Sequence, residues 1–364
     1  MQFKDIDRAL AQWAPPSLAA SYDNVGLIVG EPDTECTGLL INLDVTEAVI
    51  DEAIARGLNL VVTHHPIWFG ARKRLNGEDY VSRIILKAAR AHVGLLACHT
   101  NLDNVRHGVN AEIGRRLGAQ NVHILSPKRG QLVKLAVSVP VESAGRVREA
   151  IFAAGAGQIG DYSEASFNQE GFSTFTPGPG TNPHIGTVGQ REQVAETKIE
   201  TVLHAYLQGA VAAAITGSHP YEEPAYDFFA LKNKVNSVGS GMIGELAAPM
   251  GKQEFLQHVK AAFDCGGIRY ADFPGETIQK VAWCGGAGSF LTGSALRAGA
   301  DAFVTGDITY HKYFDNEDRL LLLDIGHYES EQFTSRLLSD YLKKKFVNFA
   351  VHLSDIKTNP VNYF

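Results

Sequence analysis

ARGLNLVVTHH (residues 55–65) and LRAGADAFVTGD (residues 296–307) are two versions of one pattern, and that pattern decides how this chain folds. Each opens at a helix end carrying Arg and Gly. Each then runs through a short apolar stretch and stops at Val-Thr followed by a polar pair. An apolar run of that length, bounded by Gly and rich in β-branched residues, reads as a buried strand. The parallel continues one strand further on. VGLLACHTNLD (93–103) matches RLLLLDIGHYESE (319–331): an apolar strand ending in His, with carboxylates just after it.

Working outward, GLLINLD (38–44) reads as another buried strand, and Glu47 to Arg56 has helical spacing with Val49, Ile50 and Ala53 on one face. Helices are expected over Ile84–Ala91 and Val109–Leu117. In the last stretch KVAWCGG (280–286) is a strand running into a Gly turn, Ser289–Ala298 a helix, and 330–345 another helix. Alternating strands and helices imply βαβ units and mostly parallel sheets. The expected fold class is therefore α/β: two related α/β lobes, residues 1–128 and 243–364, forming one metal-binding core. In open α/β sheets ligands bind beyond the carboxyl ends of strands. The polar clusters of both lobes fall there, and a cleft between facing lobes would gather them.

Residues 129–242 differ. KLAVSVPV (134–141) is a strand, Ser143–Ala154 a helix, DYSEASF (161–167) an alternating strand, and FTPGPGTNPHIGTVGQ (175–190) a loop rich in Gly and Pro. ETKIETVL (196–203) and HPYEEPAYDFFAL (219–231) follow. This order suggests an inserted α+β domain of the ferredoxin-like kind. The loop is long for a compact domain, and such loops usually have a function. HPYEEPAY reads as a structural or partner-facing turn.

The chain has 364 residues, 45% of them hydrophobic and 20% charged, ample for a core without disulfides. Cys36, Cys98, Cys265 and Cys284 form no CxxC pair and read as buried thiols in a reducing compartment. MQFKDIDRAL lacks a signal-peptide core, and no apolar run is long enough to span a membrane. A cytoplasmic location is expected. The net charge of −7 argues against a nucleic-acid partner, and LKKKF (342–346) reads as a solvated helix face.

The chemistry is expected at the strand ends. Neighbouring side chains leaving a strand point apart, so His64 and His65 are placed to hold two different ions rather than one. Pro66 restricts His65 to extended backbone. Taken alone, the pair reads equally well as a strand cap beside a solvated ring. Asp103, just past a strand, offers a carboxylate able to bridge two cations. His327 and Glu331 are four apart, which on a helix puts both on one face. Three His and two carboxylates underfill two divalent ions and leave positions for water. Such a donor set accepts Zn, Fe, Mn or Ni. His99 is a candidate to orient a ligand or to shuttle a proton. CGGAGSF (284–290) reads as a tight turn, without the spacing of a phosphate loop. Thr305, Gly306, Asp307 and His311 are candidate substrate contacts.

YDNVGLIVG (22–30), THHP (63–66), HTNLD (99–103), TGD (305–307) and GHYESE (326–331) resemble, in order, the motifs of the NGG-one-interacting-factor-three-like family, the GTP cyclohydrolase I type 2 homologues. The resemblance covers residues 1–128 and 243–364, and Tyr22 stands where many members carry Trp. The middle is similar to the insert of longer bacterial members, itself PII-like. The resemblance implies a dinuclear metal site on His64, His65, Asp103, His327 and Glu331, and a toroidal homohexamer. It leaves two functions open. One is a metal-dependent hydrolase on a nucleotide-like substrate such as GTP, with Arg72, Lys73, Arg74 and Arg106 as the few candidate phosphate contacts. The other is a non-enzymatic metal-binding or regulatory module with a small-molecule ligand or a protein partner.

Overall fold

Four-residue apolar runs, too short to make a helix, become strands buried along their whole length in the computed structural model, which describes residues 1–364. The chain divides into two compact units, one made of Met1–Pro127 with Asn236–Phe364 and the other of Lys128–Val235.

The first unit opens with α1 (Phe3–Trp13), β1 (Gly26–Val29), β2 (Leu39–Asn42), α2 (Glu47–Ala55), β3 (Leu60–Thr63) and α3 (Tyr80–Arg90). β4 (Gly94–Ala97), α4 (Thr100–Asp103), α5 (Val109–Leu117) and β5 (Ala119–Pro127) follow. The second unit holds β6 (Leu132–Pro140), α6 (Ala144–Ala153), β7 (Ser166–Phe175), β8 (Glu192–His204), α7 (Gln208–Ser218) and β9 (Tyr226–Ala230). The chain then returns with β10 (Gly239–Gly251), α8 (Lys252–Ala262), β11 (Arg269–Ala271), β12 (Thr277–Trp283) and α9 (Thr292–Arg297). It ends with β13 (Ala302–Thr305), β14 (Leu321–Asp324), α10 (His327–Glu331), α11 (Thr334–Lys345) and β15 (Val351–Leu353).

Two sheets form the first unit. One has the order β1-β4-β3-β2-β15, with β4, β3, β2 and β15 parallel and β1 antiparallel at the edge. The other has the order β11-β14-β13-β12-β10-β5, with β12, β13 and β14 parallel. The helices start where local chemistry tells them to. Thr46 accepts the Val49 N–H to cap α2, and Asp79 accepts the Ser82 N–H to cap α3. Gly118, at φ +68°, closes α5 in the left-handed conformation that favours glycine. Neighbouring parallel strands end level with one another, Thr63 opposite Ala97 and Thr305 opposite Asp324. The residues that follow those ends are therefore presented together.

In the second unit the strands pair antiparallel in the order β7-β8-β6-β9. One face of that sheet carries Val133, Leu135, Val137, Val139, Ile199 and Leu203, which pack with Val147, Ile151, Val211 and Ile215 of α6 and α7.

Two expectations are corrected here. The strand expected over 161–167 starts only at Ser166 and continues to Phe175, because Ile159 and Tyr162 close a small turn before it. The helix expected over 330–345 is two helices, α10 and α11, with Gln332 and Phe333 between them. No helix is long and apolar enough to cross a membrane.

Candidate metal centre

Thr63 ends β3, and its hydroxyl donates to the His65 carbonyl at 2.7 Å, shaping the turn that carries the two histidines. Their side chains diverge as strand geometry requires. His64 is fully buried, with Nδ1 donating to the Cys98 carbonyl at 2.8 Å. Its Nε2 lies 3.6 Å from Asp103 Oδ1 and 3.8 Å from Glu331 Oε1. His65 sends Nδ1 to Asp44 Oδ1 at 2.7 Å and Nε2 to Glu331 Oε2 at 2.9 Å. On α10 the four-residue spacing places His327 and Glu331 on one face, with Nε2 and Oε2 3.1 Å apart. His327 Nδ1 is held by Asp307 Oδ2 at 2.7 Å, and its Nε2 stands 3.3 Å from Nε2 of His65.

Three imidazoles thus have one nitrogen occupied by an acceptor and the other turned toward the Glu331 carboxylate. This is the arrangement in which an outer partner fixes the tautomer and aims the free nitrogen at a cation. Two neutral Nε2 lone pairs facing each other and a carboxylate would repel, so the centre calls for positive charge. The electrostatics of the ring nitrogens point the same way. Burial opposes a charge on His65, but Asp44 and Glu331 outweigh it and raise its pKa to about 9. Burial is likewise outweighed at His327, where Asp307 and Glu331 push the pKa up to about 11. Glu331 is held well below the usual carboxylate range because the three histidines overcome its burial. Asp103 moves the other way, raised by burial and by the Glu331 charge. His64 Nε2 and Asp103 Oδ1 are buried with no hydrogen-bond partner, a cost a native fold rarely carries without a ligand.

The donors fall into overlapping groups whose atoms lie within 4.8 Å of one another: His64, Asp103 and Glu331; His65, His327 and Glu331; His64, His65 and His99. These donors fit a divalent cation, being imidazole nitrogens and carboxylate oxygens that converge on one point. The Gly-rich turn after β12 makes room for them. A Cβ on Gly286, at φ +59°, would stand 2.6 Å from Glu331 Oε1 and 3.2 Å from His327 Nε2.

The family described as Duf34/NIF3 (NGG1p interacting factor 3) matches residues 1–360. The chain belongs to that family. The GTP cyclohydrolase 1 type 2 homolog of Halalkalibacterium halodurans is 41% identical over 357 residues, covering 97% of this chain and 96% of its own. The Bacillus subtilis protein of the same name is 36% identical over 367 residues, covering 99% and 98%. The crystal structure of a Bacillus cereus protein related to NIF3 superposes with a TM-score of 0.87 at 36% identity, covering 100% of this chain and 99% of that one.

In this Duf34/NIF3 chain His64, His65, Asp103, His327 and Glu331 come together, and His99 joins them. The His99 ring lies 5.1 Å from that of His64 and 5.4 Å from that of His65, and its Nδ1 is held by Asp23 at 2.8 Å. Asp23 also accepts the Thr100 hydroxyl and the Thr100 and Asn24 amides. These bonds and His99 outweigh burial and lower the Asp23 pKa to about 2.

The candidate substrate contacts after β13 need correction. Thr305 is fully buried and pins the glycine turn, donating to the Gly286 carbonyl and accepting from the Gly288 N–H. Asp307 orients His327. His311 is exposed and stacks edge-on with Tyr310 instead of joining the cluster. The amides of the glycine turn are also spoken for: Gly285 donates to Asn110 Oδ1 and Gly286 to Ser330 Oγ. The turn is therefore structural, as expected.

Asp44 and Asp23 were missed as site residues. A signal for Asp44 was present, since it closes GLLINLD as His64 closes LNLVVTH. Thr358 holds its second oxygen at 2.7 Å, a partner from the far end of the chain that no local pattern reveals.

Proposed function

We propose that this Duf34/NIF3 chain is a dinuclear-metal hydrolase acting on a nucleotide-like substrate. The observation that carries this reading is the position of Glu331. One of its oxygens faces His64 beside Asp103, and the other faces His65 and His327. One carboxylate is thus shared by two donor sets: His64 and Asp103 would hold one ion, and His65 and His327 the other. Zn, Fe, Mn and Ni all suit these ligands. Two bound ions would supply Lewis acidity and an activated water.

The chain's own residues would do the rest. His99, oriented through Nδ1 by Asp23, has its other nitrogen available to take or return a proton. Tyr22 and Phe69 are exposed at 66% and 52%, with ring centroids 6.3 Å apart, and Phe69 lies 5.6 Å from His99. This pair offers a flat base a surface to stack on. Lys73 and Arg74, a few residues on, are exposed and enter no ion pair, whereas Arg72 is taken by Asp79.

We further read the first unit as two related lobes, and the second, with its β-α-β-β-α-β order, as a ferredoxin-like, PII-like insert. The assembly is read as a toroidal homohexamer in the cytoplasm. The four buried free thiols suit a reducing compartment, and exposed Phe290, Tyr310 and Phe314 suit burial against other copies. A monomer by light scattering at micromolar concentration would end the hexamer reading.

The test of the site is metal content by mass spectrometry in protein purified without added metal. Wild type should hold about two ions per chain, and His65→Ala and Glu331→Ala should each hold less. Full loads in both variants would dismiss the assignment. The test of the activity is turnover by metal-replete wild type of GTP, other nucleotides and simple phosphoesters, followed by Asp103→Asn, which should abolish it. Metal without turnover on any of them would favour the non-enzymatic metal-binding module.

A further inference from the structure

The loop at 176–191 and the HPYEEPAY turn, neither used by the metal centre, meet around one cavity of about 300 Å³ in the second unit. Side chains alternate across a strand. On β6 and β8, Val137, Val139, Ile199 and Leu203 face the helices, so Ser138 and Glu196 face the other way. That outer face carries the half-buried Lys134–Glu200 ion pair further along. At Glu196 it is covered, and the residue is only 6% exposed. The cover is Phe175 at the end of β7, Pro177, Pro183 and His184 from the loop, and Tyr221 to Glu223 from the turn.

The cover is a built structure. His219 donates from Nε2 to the Ser138 carbonyl at 2.9 Å and accepts the Tyr221 N–H on Nδ1 at 3.0 Å, which fixes where Tyr221 sits. Glu222 accepts the Asn182 N–H at 3.2 Å and so ties the loop to the turn. Phe175 and His184 place their rings 5.9 and 6.2 Å from that of Tyr221. Within this frame the Tyr221 hydroxyl and the Glu196 carboxyl stand beside each other with no cation to balance them. The Tyr221 hydroxyl is buried with no hydrogen bond. The Glu196 carboxyl enters no ion pair, although Lys198 and Lys134 on the same sheet face are both taken by Glu200. A buried hydroxyl without a hydrogen bond of good geometry, beside a carboxyl with no counter-charge, points to a ligand.

The lining says which ligand. It contains Glu196, Glu222 and Glu223 and no lysine or arginine, which disfavours phosphates and carboxylates. Its walls are aromatic rings and prolines, and none of the donor groups able to hold a metal ion lies here. Aromatic faces and unpaired carboxylates together suit a cationic head on a compact apolar body. We propose that this cavity is a second ligand site, independent of the metal centre, that binds a small organic cation of the amine or amidine class, with Glu196 as its counter-charge and Tyr221 as its aromatic wall and hydrogen-bond partner.

Calorimetric titration of the full chain tests this, using benzamidine and phenethylamine as probes and neutral benzamide and anionic benzoate as controls. The runs are repeated with a chelator present, to separate this site from the metals. Saturable binding of the cations is expected, unchanged by chelator. Both controls should bind at least about tenfold more weakly, the worth of one charge-assisted hydrogen bond. Glu196→Gln should weaken benzamidine by a similar factor. Tyr221→Phe, which keeps the ring and loses the open hydroxyl, should weaken it less. Circular dichroism checks that both variants fold, and should Glu196→Gln fail to fold, Glu223→Gln replaces it, with a smaller loss expected. Absence of binding by both cations at millimolar concentration would overturn the proposal. So would equal affinity for benzamide, or folded variants that bind as wild type does.

Discussion

Gly286→Ala should separate the cost of a strained backbone from the loss of the metal centre. Gly286 sits at φ +59°, where an L side chain costs about 1–2 kcal/mol. Its added Cβ would also meet Glu331 Oε1 at 2.6 Å, closer than real Cβ contacts come. Glu331 is the flexible partner and would retreat by roughly half an ångström or more to reach ordinary contact. That movement carries Oε1 away from His64, already 3.8 Å distant, and crowds His327. Gly299→Ala is the matched control. Gly299 has φ +70° and nothing within 4 Å of its would-be Cβ. Both variants should lose a similar 1–2 kcal/mol, about a few degrees in melting temperature for a unit of this size. Only Gly286→Ala should also lose metal, measured by mass spectrometry on protein purified in parallel. Equal, full loads in the two variants would refute the claim that the glycine turn exists to leave Glu331 its place. Equal loss in both would show that backbone strain alone empties the site.

Two further outcomes are expected. The Asp23 carboxyl is depressed from 3.8 to about 2, so its stabilisation is present above pH ~4 and disappears as pH falls through ~2. A shift of that size corresponds to about 2 kcal/mol. The melting-temperature gap between wild type and Asp23→Asn should therefore narrow between pH 5 and 2.5, and a gap constant with pH would contradict the pairing with His99. Replacing residues 128–235 with a short turn should leave a folded, metal-binding chain, because Pro127 of β5 lies directly opposite Gly239 of β10. An insoluble or metal-free product would show that the second unit is needed by the first.

The elements most legible in the sequence were those whose signal is local. β2, β3, β4, β13 and β14 are apolar runs, and α2 and α5 have helical spacing, so each lies within a few residues of its expected place. The meeting of His64, His65, Asp103, His327 and Glu331 was legible because each follows such a run, and strand ends are where polar side chains emerge. What was illegible depends on partners distant in sequence. β1 has four half-buried residues and becomes a strand by pairing with β4. β10 contains Gly239, Gly241 and Gly244, which weaken any strand signal, and is held between β5 and β12. The partner of Asp307 was hidden for a related reason. A carboxylate after a strand is equally suited to a substrate and to a histidine, and only the fold shows that His327 is 2.7 Å away.

The charge pattern around the centre explains why the histidines come with so many acids. Asp23, Asp44, Asp103, Asp307 and Glu331 surround His64, His65, His99 and His327, and none of these carboxylates is ion-paired with a lysine or arginine. Gathering that much like charge around one centre is unfavourable unless cations balance it. Protons supply part of that balance. His65 and His327 hold theirs above neutral pH, and the Asp103 carboxyl is pushed toward its neutral form beside Glu331. Protons leave one cost standing, since His64 Nε2 and Asp103 Oδ1 still lack partners. A divalent ion between those two atoms would satisfy both and relieve the repulsion between Asp103 and Glu331. On the dinuclear reading proposed above, a second ion held by His65, His327 and Glu331 would replace the protons there. The two adjacent histidines fit this division, because side chains leaving a strand end diverge and each can serve a different ion.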